Sequence, residues 1–322
     1  MFCRKTYLCF RQSTIKSHLT TSLECFSPGP CKFSITSRHS RPRSLANFVD
    51  KRRRFDQQGM APEEAERVFG DYFAIFPWDQ LPPDAEGFDM GCGSGRWARF
   101  VAPRVGRLHC IDPSSALDVA RHTLADQPNV QFHQASVAAS GLLPNSQDFG
   151  YSLGVLHHVP DTAAAIRSCA ELLKPGAPLL LYLYYAFDNR PRWFRWLWHL
   201  SNAARLLIRR LPPRPKQSVT DLIALTVYWP LSRFAALAEA AGLPVASFPL
   251  SYYRHCSLYT LRTDARDRFG TPLEDRFSRA QIRAMCTAAG LVDLRFSPRA
   301  PYWCVVGVKA EGVAALSSTA VL

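Results

Sequence analysis

Several features are missing from this 322-residue sequence, and each absence removes a class of answer. No apolar run approaches the ~18 residues that a membrane-crossing helix needs. The ten cysteines form no C-x-x-C pair, and Cys92, Cys110, Cys169 and Cys304 sit in apolar surroundings. That pattern predicts reduced thiols in an intracellular protein, with no disulfide framework and no zinc site. No carboxylate–histidine cluster points to another bound metal. Acids are scarce at the N-terminus, where residues 1–54 hold twelve Lys/Arg against two acids. The rest holds 27 against 24, so the formal charge of +13 is concentrated at one end and the body is nearly neutral. A high overall charge therefore gives no argument for nucleic acid as a partner.

What is present begins with Gly87-Phe88-Asp89-Met90-Gly91-Cys92-Gly93-Ser94-Gly95-Arg96-Trp97. Phe88 and Met90 give strand character, and three alternate glycines let the backbone turn sharply and a ligand lie close against it. A helix beginning near Gly95 would aim its N-terminal amides at that ligand. The spacing is G-x-G-x-G, one residue short of the dinucleotide fingerprint, which disfavours a nicotinamide-dependent dehydrogenase. Twenty-one residues after Gly91 comes Asp112, at the end of the apolar run Leu108–Ile111. A carboxylate there can accept the ribose hydroxyls of a nucleoside; it can also cap the helix expected at 115–124.

Between residues 86 and 186 strands and helices alternate. Strands are expected near 87–90, 107–111, 129–133, 148–153 and 178–185, and helices near 95–102, 115–126 and 161–173. That alternation predicts an α/β fold with a mostly parallel sheet covered on both faces, and a ligand crevice at the carboxyl ends of its strands. Near the C-terminus, Ser278 starts a capped helix that Gly290 ends, and 292–296 and 302–308 read as strands around a turn.

Four motifs in this order carry a resemblance. Asp89-Met90-Gly91-Cys92-Gly93-Ser94-Gly95 matches D-x-G-x-G-x-G, and Asp112 follows at the expected distance. Asp148 through Asp161 matches D-x-x-x-S-x-x-x-L-H-H, and Leu172-Leu173-Lys174-Pro175-Gly176 matches L-L-K-P-G. Together they resemble the class I S-adenosylmethionine-dependent methyltransferases, in the branch that includes quinone-biosynthesis and small-molecule enzymes. The resemblance covers about 85–186 and resumes at the C-terminus. It implies a Rossmann-like, doubly wound seven-stranded sheet with an antiparallel last strand, and S-adenosyl-L-methionine as cofactor. It places Asp89, Gly91, Cys92, Gly93 and Gly95 around the methionine part, and Asp112 and Pro113 at the ribose. Ser136 and Val137 fall on the adenine side, and Gly154, Val155 and Leu156 line the sulfonium.

Methyl transfer needs a base only where the acceptor must lose a proton. His157, just past strand four, is the candidate catalytic residue, with Tyr184 and Tyr185 as weaker ones. No D/N-P-P-Y/F sequence follows strand four, which also lowers nucleic acid as a substrate. The implied activity is methyl transfer to a small or lipophilic acceptor. A regulatory protein that binds S-adenosylmethionine without turnover would carry the same loop.

Outside the core, residues 1–44 are basic and Ser-rich; they resemble a transit peptide, and a disordered extension is expected. Residues 45–80 carry aromatics at helical spacing and fit an N-terminal lid. The core is expected over 81–186, a helical insertion capping the acceptor over 187–276, the closing helix and hairpin over 277–310, and a frayed tail over 311–322. Within the insertion, helices are expected at 203–211 and 221–228, broken at Pro212-Pro213 and Pro230. Its tryptophans and ten Lys/Arg against three acids over 187–255 fit peripheral contact with anionic lipid. The expected location is cytoplasmic with a membrane-facing side.

Overall fold

The computed structural model describes residues 60–245, 248–271 and 273–311. The extension expected over 1–44, the first part of the lid (45–59), and the tail beyond Glu311 lie outside them.

The strands are β1 (Glu86–Met90), β2 (Arg107–Ile111), β3 (Val130–His133), β4 (Phe149–Leu153), β5 (Pro178–Tyr182), β6 (Leu291–Phe296) and β7 (Cys304–Lys309). They form one sheet in the order β3-β2-β1-β4-β5-β7-β6. β1 to β5 run parallel, while β7 pairs antiparallel with β5 and with β6. The expected seven-stranded doubly wound sheet is therefore the fold. The chain winds outward from β1 to β3 and then in the opposite direction from β4, so the switch point lies between β1 and β4, where ligands bind in such sheets.

Burial on both faces explains why the strands read as continuous apolar runs. Leu179 and Leu181 of β5 pack into one core layer and Leu180 into the other. β1 and β4 interlock by size: a methyl group on Gly150 would overlap the Phe88 ring, and one on Gly87 the Phe149 ring. Each ring thus packs over the glycine paired with it on the neighbouring strand.

Around the sheet lie α1 (Pro62–Phe73), α2 (Ala98–Val101), α3 (Ala116–Thr123), α4 (Thr162–Leu172) and, after the insertion, α9 (Arg279–Ala288). Pro62 opens α1, where its missing N–H costs nothing. Asp161 caps α4 by accepting from the Ala164 amide at 2.8 Å, and Ser278 with Gln281 forms a full capping box on α9. The aromatics of α1 and of the turn after it join the core: Phe73 meets Tyr151 edge-on, with ring centres 5.3 Å apart, and Phe76 meets Phe149 at 6.2 Å.

The insertion between β5 and β6 is helical, with boundaries that differ from the expected ones. α5 spans Arg192–Ile208, so its tryptophans lie within the helix instead of ahead of it. Pro213 does not break a helix; it opens α6 (Pro213–Ile223). Pro230 lies just inside α7 (Trp229–Ala240), directly after one π-helical turn at Ala224–Tyr228. The wider turn accommodates a residue that lacks an N–H and crowds the preceding carbonyls. A further helix, α8 (Leu258–Gly270), was not expected. Ala224, Tyr228, Leu261, Ala265 and Phe269 give the insertion its own small core.

Candidate functional site

The glycine loop leaves β1 and is held to the end of β2. The amides of Gly91 and Cys92 both donate to the Ile111 carbonyl, at 2.7 and 3.1 Å. Gly91 has φ +83°, and a Cβ there would sit 2.5 Å from Val155 Cγ1, so conformation and space both exclude a side chain. The turns after β1 and β4 are thus packed directly against each other at the switch point.

Asp112 is buried behind the loop. Its carboxylate accepts from the Gly93 amide at 3.0 Å, the Ser114 amide at 2.9 Å and the Ser114 hydroxyl. Helix α3 starts at Ala116 with no side-chain cap, and Asp112 braces the glycine loop through the Gly93 amide. Asp89 is buried in β1, in register with Cys110 on one side and Tyr151 on the other. Burial, followed by the charge of Asp89, drives the Tyr151 hydroxyl well above its ordinary pKa.

A cavity of about 680 Å³ opens in front of this loop. Of the residues that the sequence nominated, Gly91, Cys92, Gly93, Gly154 and Val155 lie on its wall. Gly95 is packed behind the loop, where a Cβ would meet Leu124 at 2.9 Å. Asp89 and Asp112 stand behind the wall, and Leu156 is in the core. Pro113 and Ser136 are exposed and Val137 half-buried, all beyond the cavity.

His157 does not reach the cavity. It is 0% exposed and stacks on Tyr184 with centroids 3.8 Å apart, and neither ring nitrogen has a hydrogen-bond partner among the described residues. Burial, with the charges of His158 and Arg276, lowers its pKa well below that of an ordinary histidine. The 3₁₀ turn Leu156–His158 turns successive side chains about 120° apart. That rotation sends His157 inward and His158 to the cavity wall. His158 Nδ1 donates to the Leu273 carbonyl at 2.7 Å.

Much of the wall comes from residues that motif reading missed. Arg96 and Trp97 follow the glycines, with the guanidinium 4.1 Å from the indole centre. Tyr72 of α1 reaches the cavity and packs against Trp97 and Tyr182, at 5.4 and 5.0 Å. The insertion adds Trp198, Tyr228, Tyr252 and Tyr253, and α8 contributes Asp264, Asp267 and Arg268. Trp198 Nε1 and Tyr252 Oη are buried and without a hydrogen-bond partner among the described residues. The signal for α8 was present: Ser257 caps it, accepting from the Thr260 amide, and Leu261, Ala265 and Phe269 recur at a spacing of four.

Beside Asp267 and Arg268, the buried Glu274 accepts from Arg268 and Arg276, both at 2.9 Å, with Arg205 at 3.6 Å. Asp264 is different. Burial and the charge of Asp267 raise its pKa to about 6, with Arg96 and Tyr253 opposing.

A methyltransferase domain family matches residues 88–181, the span from β1 to β5. The ubiquinone biosynthesis O-methyltransferase of Albidiferax ferrireducens is 42% identical over 106 residues, 32% of this chain and 40% of that protein. The match thus spans less than half of that relative's length. The protein of the same name from Azotobacter vinelandii is 31% identical over 180 residues, covering 55% of this chain and 72% of its own. Among solved structures, an O-methyltransferase family protein from Burkholderia thailandensis aligns with 81% of this chain and 60% of its own, at 14% identity and a TM-score of 0.48. With a glycine loop set at the switch point of a doubly wound sheet, and a relative matched over most of its length, this chain belongs to the class I S-adenosylmethionine-dependent methyltransferases.

Proposed function

We propose that the protein transfers a methyl group from S-adenosylmethionine to a small, lipophilic acceptor. One observation carries this reading: the glycine loop and the aromatic face of the insertion line the same cavity. The residues suit the donor. Gly91 has no room for a side chain beyond hydrogen, and Asp112 stands behind the loop, accepting from the Gly93 amide. Gly91, Cys92, Gly93, Gly154 and Val155 would hold the methionine and sulfonium parts, and Asp112 the ribose. The bound donor supplies an already activated methyl group, so the protein's main task is to align an acceptor and exclude water. Tyr72, Tyr182, Trp198 and Tyr253 present flat, largely apolar surfaces for that purpose. His158 replaces His157 as the histidine placed to meet an acceptor. A binding protein without turnover would share the loop; the aromatic extension of the cavity beyond it favours an enzyme.

Contact with a membrane would fall to the insertion's outer surface. Trp193, Trp196, Leu200, Leu207, Phe234 and Leu237 are exposed along α5 and α7. Arg192, Arg195, Arg210 and Arg214 are exposed beside them. The acids of 187–245 are engaged within the protein: Asp188 with the Arg279 amide and Trp303, Asp221 with Arg262, and Glu239 with Arg254. The outer face is therefore apolar and cationic, which suits an anionic lipid surface. Leu197, Val227 and Leu231 are both exposed and on the cavity wall, so the mouth opens on this face. Among the described residues no helix is long and apolar enough to cross a membrane.

The donor half is tested by calorimetry with S-adenosylmethionine, S-adenosylhomocysteine and NAD; binding of NAD alone would overturn it. The acceptor half is tested by incubating the protein with isotopically labelled donor and a cellular lipid extract. Label confined to the aqueous phase would argue against a lipophilic acceptor.

A further inference from the structure

Asp264 lies on the cavity wall, half-buried, one helical turn from Asp267. Neighbouring carboxylates have counter-ions: Asp221 pairs with Arg262 at 2.8 Å, and Glu274 with Arg268 and Arg276 at 2.9 Å. Asp264 has no ion pair among the described residues, and the Tyr253 hydroxyl stands within hydrogen-bonding reach of it. A carboxylate held among aromatic rings without a counter-ion costs free energy, and such groups concentrate where chemistry needs them. The charged groups that act on it come from three directions: Arg96 after the glycine loop, Glu64 on α1 and Asp267 on its own helix. Tyr182, Tyr184, Tyr228 and Tyr252 also feel its charge, and burial raises every one of their hydroxyls above the ordinary tyrosine pKa. None of them competes with Asp264 for a proton near neutrality. Arg96 belongs to the loop that cradles the donor, and Tyr182 lies 3.7 Å from where a side chain on Gly154 would begin. Asp264 and the glycine loop thus line one cavity, and the orphaned Tyr252 Oη and Trp198 Nε1 border the same space.

We propose that Asp264 is the catalytic carboxylate of the acceptor site and that the acceptor is an amphiphilic phenol or alcohol whose hydroxyl it deprotonates. This rests on the methyltransferase reading above. The acceptor's O–H proton passes to the Asp264 carboxylate as its oxygen bonds to the methyl carbon. The carbon–sulfur bond breaks, its electron pair stays on sulfur, and the positive sulfonium becomes a neutral thioether. Trp198 Nε1–H and the Tyr252 hydroxyl donate to the acceptor's remaining oxygens and hold it in line.

The test uses the full chain saturated with S-adenosylhomocysteine, with 4-decylcatechol as the probe. Calorimetry should show the probe binding about tenfold more tightly at pH 8 than at pH 5, because an ionised Asp264 accepts the hydroxyl's hydrogen bond better. Asp264→Asn should abolish that pH dependence while leaving S-adenosylhomocysteine affinity within about twofold, which also shows that the variant is folded. With labelled donor, Asp264→Asn should lose roughly 10²–10⁴-fold in kcat, the range for removing a general base, and Asp264→Glu should recover part of it. Probe binding that is absent, or equally pH-dependent in Asp264→Asn, overturns the proposal. Loss of the pH dependence in His158→Gln but not in Asp264→Asn overturns it in favour of the histidine. Failure of the wild type to bind S-adenosylhomocysteine defeats the underlying donor reading instead.

Discussion

At the residue scale, Gly91 and Asp112 do different jobs for the same loop. An alanine at position 91 costs about 1–2 kcal/mol for a left-handed backbone alone, and its methyl also meets Val155. Gly91→Ala should therefore lower the melting temperature and abolish donor binding together. Asp112→Ala removes an acceptor that three donors share. Donor affinity should fall by ~1–3 kcal/mol, the range for hydrogen bonds to a charged group, measured by calorimetry. Unchanged affinity would show that Asp112 braces the loop without touching the ligand. His157 and His158 separate in the same way: His157→Ala leaves a hole under Tyr184 and should act on stability, whereas His158→Ala should act on turnover.

Among the elements, α5 divides its tryptophans between two tasks. Trp193 and Trp196 are 53% and 67% exposed, while Trp198 borders the cavity. Trp198→Ala should impair turnover and spare donor binding. Trp193→Ser with Trp196→Ser should leave turnover of a water-soluble acceptor intact and reduce pelleting with anionic vesicles. That pelleting should fall as salt rises, because screening weakens the arginine contacts. Pelleting that is equal for the double variant and the wild type would remove the membrane face and leave the cavity argument untouched.

For the molecule as a whole, Asp264 couples stability to pH. Its folded pKa, about 6, stands above the ordinary carboxylate value of 3.8. The folded state therefore holds the proton more tightly than the unfolded chain. The stability this contributes is complete below about pH 4 and lost as pH rises through about 6. Asp264→Asn should flatten that window and raise stability near neutrality by ~1–3 kcal/mol, with activity lost. Melting curves across pH, compared between the two proteins, check the sign; a variant less stable at neutral pH would contradict it.

The sheet and the donor loop could be read from the chain because their signals are local. Alternating apolar runs and helices force parallel crossovers, and glycines at positions 91, 93 and 95 followed by an acid at 112 mark the turn after the first strand. Cavity-facing side chains were another matter. Periodicity tells which residues share a helix face, but not what that face meets. In α5 and α7 the faces toward the protein and the outside are both apolar, so no sequence pattern separates Trp198 from Trp193. In the 3₁₀ turn after β4, two identical histidines differ only in the rotation between them. Asp264 reads in the sequence as one more charge in an ordinary charged helix. Only the folded chain, in which α8 and the glycine loop line one cavity while ion pairs engage Asp221 and Glu274, put that carboxylate on the cavity wall.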